Sequence, residues 1–587
     1  MNILTRYTPF PVFLIVMMIV SGSCNLIGGK NKGAKKTVPT RQIPANRILA
    51  EYASPGLSSR NPLTVQGFGL VYNLGDNGGV EVDSLHRRFV IEELKRTDVP
   101  NPSQLVDSKD TAIVHVQAKI PPGTRKGDLI DVEISLPSNS ECRSLQGGIL
   151  LKTVLAEMIS VGSEYKRGST WSVVEGPLLL DPKIGKSNSN YEKHAVILGK
   201  AECRIDRDFS FTLNSDDWVE HQKGKIAVEL ERRINKRFKI EGEQAGVAKA
   251  KSQPGVYVEV KMHPSYREAP RRYLAVIMSI RCFESDAQQA QRLEALKQEL
   301  LNPEKSQAAA LQLEALPARM GADILNEGLK SPNSHVQFCS AEALAYMHRP
   351  GVGPILAEFA RNDPKKRPAA IAALASMGSD LEAAENLIPL MMETDAPDLR
   401  YGAFWALWRR NPDHPAIRAW PMDAYPYHYH VLPFNEPLVH ATTSRRSEIV
   451  LFSQNVKLNA PFVGNAGKTI FVDVFSPEQV KIVRVNPGRI NEERLRPNSL
   501  DKILEAIAEL GGSYQDTLEF LTEADTEQPN GNRVLTCRFV VDGISEDKER
   551  SYNSALYADE DFDFTHPTEE EPKKKSALSK LNPVTWW

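Results

Sequence analysis

Three stretches of this 587-residue chain carry residue types and spacings that chemistry uses. Gly67-Phe68-Gly69 begins like the glycine fingerprint that lets a backbone approach a pyrophosphate. The third glycine is missing, however, and Leu70-Val71-Tyr72-Asn73 reads as strand where the fingerprint needs a helix to open. Gly464-Asn465-Ala466-Gly467-Lys468-Thr469 resembles the end of a phosphate-binding loop, yet the glycine required five positions before Gly467 is Phe462. Thr469 also opens a strand, not a helix whose N-terminus would hold phosphate. His428 and His430 would share one strand face as metal ligands, but no third ligand accompanies them and the stretch reads as a packed loop. The acidic pairs Asp216-Asp217 and Glu492-Glu493 read as solvated caps, since nothing nearby would raise one carboxyl above the other. With no G-x-S-x-G or H-E-x-x-H constellation either, the residues point away from an enzyme and call for neither a cofactor nor a metal.

The elements around these residues are more informative. Between Asn61 and Gly79, apolar Val65, Phe68, Leu70 and Leu74 alternate with Gly67, Gly69, Gly75 and the Gly78-Gly79 pair, as in a strand that bends sharply and stops at a wide turn. A second block runs Ala118-Lys-Ile-Pro-Pro-Gly-Thr-Arg-Lys-Gly-Asp-Leu-Ile-Asp-Val-Glu-Ile-Ser135, and a third runs Ser144-Leu-Gln-Gly-Gly-Ile-Leu-Leu-Lys-Thr153. In this order the three blocks resemble the bacterial flagellar basal-body P-ring protein family. Its motif positions fall here on Gly67, Gly69, Leu70, Val71, Pro121, Asp128, Asp131, Gly147 and Gly148. The family's glutamine at the start of the first block is Pro62 in this chain. A later segment, Leu500-Asp-Lys-Ile-Leu-Glu-Ala-Ile-Ala-Glu-Leu-Gly511, looks like the helix near the end of the same family and adds Gly511 to the set.

Composition agrees with a multidomain globular chain. At 41% hydrophobic and 25% charged residues it is ordinary folded material, long enough for three to five domains. A net charge of -2 supplies no field to attract nucleic acid. Arg6 followed by the apolar run Val12–Val20 and Ser21-Gly22-Ser23-Cys24 is an export signal. Two cleavage chemistries fit it: an ordinary signal peptidase cut before Cys24, or a lipoprotein box in which Cys24 is acylated and tethers the chain to a membrane. The other cysteines, Cys142, Cys203, Cys282, Cys339 and Cys537, are odd in number, so at least one stays unpaired in an oxidising compartment.

Along the chain the expected parts are a signal peptide (1–23), a flexible tether (24–44), a β-rich region (45–283), a helical region (284–420), an aromatic and Pro-rich link (421–440), a second β-rich region (441–545) and a charged tail (546–587). Within the first β-rich region, Val82–Thr97 and Ile226–Asn235 have helical spacing, and Tyr273–Ile280 reads as a strand. In the helical region Ser331-Pro332, Asp363-Pro364 and Asp395-Ala-Pro397 recur 32 residues apart, each ahead of an Ala/Leu-rich helix. That period marks a solenoid and resembles HEAT repeats. The expected fold class is therefore α+β: a multidomain, β-rich P-ring-like body interrupted by an α-helical, HEAT-like insertion. The resemblance implies a structural subunit of the periplasmic ring around the flagellar rod. Such a subunit would be exported, would assemble with copies of itself and would contact rod and outer-membrane ring proteins. A different class also fits the sequence: an envelope lipoprotein scaffold that binds through its helical repeats, outside any flagellum.

Overall fold

The Leu63–Tyr72 strand lies at the centre of the largest sheet, hydrogen-bonded to Ala112–Ile120 on one side and Ile149–Val161 on the other. In this computed structural model, residues 42–541 are described apart from short internal stretches, the longest being 181–187, 241–245 and 419–424. The export signal, Cys24, nearly all of the tether, the acidic pair Asp216-Asp217, the start of the aromatic link and the charged tail lie outside the described residues.

The central sheet is antiparallel throughout, and its Leu129–Ser135 strand pairs with both Ala112–Ile120 and His194–Cys203, so the strands close on themselves. The expected bend is present. Pairing between Leu63–Tyr72 and Ile149–Val161 slips by one residue between Gln66 and Val71, as a β-bulge requires. Val65, Val116, Val132, Leu155, Ile197 and Cys203 belong to the apolar interior this closure creates. A second, four-stranded antiparallel sheet runs Ala248–Lys251, Tyr257–Val260, Phe209–Leu213, Ala53–Pro55. Its core includes the helix Glu220–Arg237, whose Ile226, Ala227, Leu230 and Ile234 form one buried stripe.

One expectation fails here. Tyr273–Ile280 is not a strand; Pro270–Met278 is a helix with proline at its start. Every residue from Tyr273 to Met278 is buried. The helical period that separates an apolar from a polar face is therefore absent, and a continuous apolar run looks alike in both states.

Among the described residues eight helices follow, from Asp286–Leu301 to Pro397–Arg410. Alternate helices touch: Ser306–Glu314 packs on Ser334–Tyr346, that on Arg367–Ser376, and that on Pro397–Arg410, forming one layer. In the other layer Asp286–Leu301 meets Ala322–Gly328, and Gly353–Asn362 meets Asp380–Leu390. Small residues set the spacing. Ala341, Ala343, Ala345, Ala370, Ala373 and Ala403 are fully buried, and a Cβ on Gly328 would fall 2.1 Å from Ser340 Oγ.

Strands then return. His428–Val431, Glu448–Leu451, Leu438–Ala441 and Arg538–Val541 form a mixed sheet. Phe462–Ala466, Ile470–Val474, Gln479–Arg484 and Glu492–Pro497 form an antiparallel meander, and the helices Leu500–Glu509 and Tyr514–Ala524 share its core. The fold is thus mixed α and β, with a helical stretch between strand-rich parts. From Ile43 onward it forms one compact unit.

Candidate functional site

The motif residues do not converge on a pocket; they hold strands and turns in place. Gly67 and Gly69 sit at the bulge because Cβ atoms there would lie 2.5 Å from the Val154 carbonyl oxygen and 2.4 Å from Thr153 Oγ1. Leu70 and Val71 are buried on opposite faces, Leu70 in a small cluster with Val90 and Ile91, Val71 inside the closed sheet. Gly148 starts the next strand beside them, where a Cβ would meet Val71 Cγ1 at 2.5 Å, and Gly147 turns the chain with φ +78°. The Pro121 carbonyl accepts from Thr124 Oγ1 at 2.7 Å, closing the turn that leads to Asp128. Asp128 Oδ2 accepts from the Arg125 amide at 2.8 Å, and its other oxygen pairs with Arg267. Gly511 lies elsewhere, ending the helix Leu500–Glu509 with φ +80°.

Asp131 does more than hold a turn. Its Oδ1 accepts from the Gly199 amide at 2.7 Å, and its Oδ2 accepts from the Arg445 amide at 2.7 Å. One carboxylate thereby joins the first strand-rich part to the second across 314 residues. The backbones run so close that a Cβ on Gly199 would lie 1.6 Å from the Arg445 carbonyl oxygen. Nearby, Gln515 Oε1 accepts from the Leu180 amide at 2.9 Å. Leu179, Val196 and Leu198 share a core with Tyr427, Leu504 and Leu521.

The helical run enters the same junction. Glu268, from the first part, accepts from Arg409 Nε at 2.9 Å at the end of the last helix and lies 3.7 Å from Arg445 Nη1 of the second part. Arg445 and Arg446 lie over the Trp405 ring at 4.9 and 5.0 Å, and Arg446 sits 3.5 Å from the Trp408 ring centre. Beneath them Glu448 is fully buried; its Oε2 accepts from Tyr401 at 2.9 Å, and its Oε1 pairs with Arg446 and lies 3.2 Å from His430 Nε2. Burial pushes the Glu448 carboxyl up, but His430 and the Arg446 charge outweigh it and leave the group below its ordinary value. The other His430 nitrogen, Nδ1, donates to the Ile417 carbonyl at 2.8 Å. His430 is thus fully buried with Nδ1 hydrogen-bonded and Nε2 facing Glu448, on a strand and not in a loop. His428 is held down to about 4, by burial first and by Arg446 next. Among the described residues no three His, Cys, Asp or Glu side chains are grouped to hold a metal.

A second buried cluster fastens the start of the helical run. Arg272 reaches Glu314 and Glu342 at 2.5 Å each, and Tyr266 donates to Glu314 at 2.6 Å. Five cysteines, Cys142, Cys203, Cys282, Cys339 and Cys537, are buried and unpaired. Burial raises the Cys203 thiol to about 12 and the Cys339 thiol to about 11, so these are packing residues, not nucleophiles. The reading of the sequence picked out Asp131 but missed Gly199, Glu268, Tyr401, Arg445, Arg446 and Glu448. Each becomes distinctive only through partners far along the chain.

Fold and ties together define a scaffold: a closed sheet and smaller open sheets locked to one another and to a helical array by buried polar contacts. Residues 57–291 match the model of the flagellar P-ring protein family. Three relatives bear the same description, Flagellar P-ring protein. That of Campylobacter jejuni subsp. jejuni is 29% identical over 189 residues, covering 31% of this chain and 50% of its own. That of Campylobacter lari is 31% identical over 179 residues (29% and 48%), and that of Thermotoga petrophila 27% over 180 residues (30% and 51%). The chain spans about half the length of these curated relatives. Through this stretch the chain is similar to the flagellar P-ring protein family.

Proposed function

We propose that this protein is a structural subunit of the flagellar basal-body P ring, surrounding the rod and supporting motility without catalysis. The carrying observation is the family match over 57–291, because that stretch contains the closed sheet and the carboxylate, Asp131, onto which the second strand-rich part is fastened. In this reading the protein is exported to the periplasm, assembles with copies of itself through heterologous contacts that close into a ring, and faces rod and outer-membrane ring proteins. Cys24, if acylated, would add a membrane tether. The motif glycines and aspartates serve as framework residues that keep the body rigid enough to act as a bushing. The helical run, a HEAT-like array in two layers, projects from this body as an arm toward other envelope components.

Electron cryotomography of cells with and without the gene tests this. Loss of density at the periplasmic ring, with impaired swimming, is the expected result; an unchanged motor overturns the reading.

A further inference from the structure

Where the helix Glu220–Arg237 meets the start of the helical run, the surface folds into a small, half-open cleft with a cavity volume of about 30 Å³. Its lining includes Arg233, Lys236, Arg237, Arg281 and Arg292 against a single carboxylate, Glu284. That carboxylate is already spent, since Arg292 holds both of its oxygens at 2.7 and 2.9 Å. Arg233 is matched by Glu229 at 2.8 Å. Three cations form no direct ion pair with a carboxylate among the described residues. Arg237 donates only to the Glu314 carbonyl, at 2.6 Å, and to the Tyr266 hydroxyl, at 3.3 Å. Arg281 donates from Nη1 to the Asn46 carbonyl at 2.7 Å, while its Nε is buried with no hydrogen-bond partner. Lys236 is exposed at the rim.

Gathering positive charge in a partly desolvated cleft costs free energy unless an anion joins it. Burial and then the neighbouring Arg292 charge hold Arg281 below its ordinary range, although the Glu284 and Glu51 charges partly oppose them. Two guanidinium groups and an ammonium with donors to spare suit an acceptor that bears several oxygens and more than one negative charge.

We propose that this cleft binds a phosphate-class oxyanion, either free phosphate or the headgroup of an anionic phospholipid. The walls come from the first strand-rich part and, through Gln289, Arg292 and Ala315–Pro317, from the helical run. A bound anion therefore bridges the two and stiffens the joint at the base of the array.

The test uses the full chain. Isothermal titration with inorganic phosphate and with pyrophosphate, and co-sedimentation with phosphatidylglycerol or phosphatidylcholine vesicles, are run on the parent and on the Lys236→Ala, Arg237→Gln and Lys249→Ala variants. Lys249 is exposed on a strand outside the cleft lining and serves as the charge control. Binding of phosphate or pyrophosphate, weakened about tenfold by Lys236→Ala or Arg237→Gln and unchanged in Lys249→Ala, supports the proposal with a free anion as ligand. Binding confined to phosphatidylglycerol vesicles with the same pattern supports it with a lipid headgroup. Binding of neither probe, or binding equal in the parent and both cleft variants, overturns it. Lys236, being exposed, gives a folded variant even if Arg237→Gln fails to fold, so the Lys236 comparison decides on its own.

Discussion

At the scale of single residues, Asp131 carries the heaviest duty. Two amides donate to its carboxylate, one of them from the second strand-rich part. Asp131→Ala strands both donors in a half-buried site and is expected to cost roughly 2–4 kcal/mol in denaturant unfolding. Asp131→Asn keeps one carbonyl acceptor and is expected to cost about half as much. The residue itself was legible in the sequence as part of a Pro-Pro/Gly/Asp block. Its role was not, because the Arg445 amide lies 314 residues away and no local pattern marks a backbone donor. Much the same holds for Gly199. A solitary glycine in a strand hints at close approach, but only the fold says which backbone approaches it.

At the scale of elements, the joints between the helical run and its neighbours are buried and charged. Arg272 faces two carboxylates, Glu314 and Glu342. Arg272→Met leaves both acids buried without their cation and is expected to destabilise the protein by about 3–5 kcal/mol, read as a lowered urea midpoint. His428 supplies a pH signature. Its folded value near 4 lies below the 6.5 of an exposed histidine, so the unfolded chain takes up the proton first. Stability from this group is complete above about pH 6.5 and is lost as pH falls toward 4. His428→Gln should therefore flatten the melting-temperature decline between pH 6.5 and 5, a difference on the order of 1 kcal/mol once partial exposure is allowed for. Elements were legible where apolar and polar residues alternate with a clear period, as in Glu220–Arg237 and Leu500–Glu509. Pro270–Met278 was not, because full burial erased its polar face and left only the proline as a clue.

At the scale of the whole molecule, the two strand-rich parts are one body despite the helices between them. Leu179, Val196 and Leu198 lie in the core of the second part, and Leu432, Phe434 and Val450 lie in the core that runs from the first part through the helices. Fragments 42–283 and 284–541, expressed together, are expected to co-elute as one species in size-exclusion chromatography. Expressed alone, each should aggregate or bind a hydrophobic dye, because each would uncover part of a shared core. Independent, stable, monomeric fragments would contradict that architecture. The sequence showed the order of strand-rich, helical and strand-rich segments through shifts in composition. It did not show the ties at Glu268 or Glu448, since ion pairs between distant segments leave no periodic trace.

A sheet that closes on itself leaves no dangling backbone to be capped by another molecule. Among the smaller, open sheets two rims, Ala248–Lys251 and Glu492–Pro497, are studded with charge at Lys249, Lys251, Arg494 and Arg496. Such charge discourages another chain from extending the ladder at these two rims.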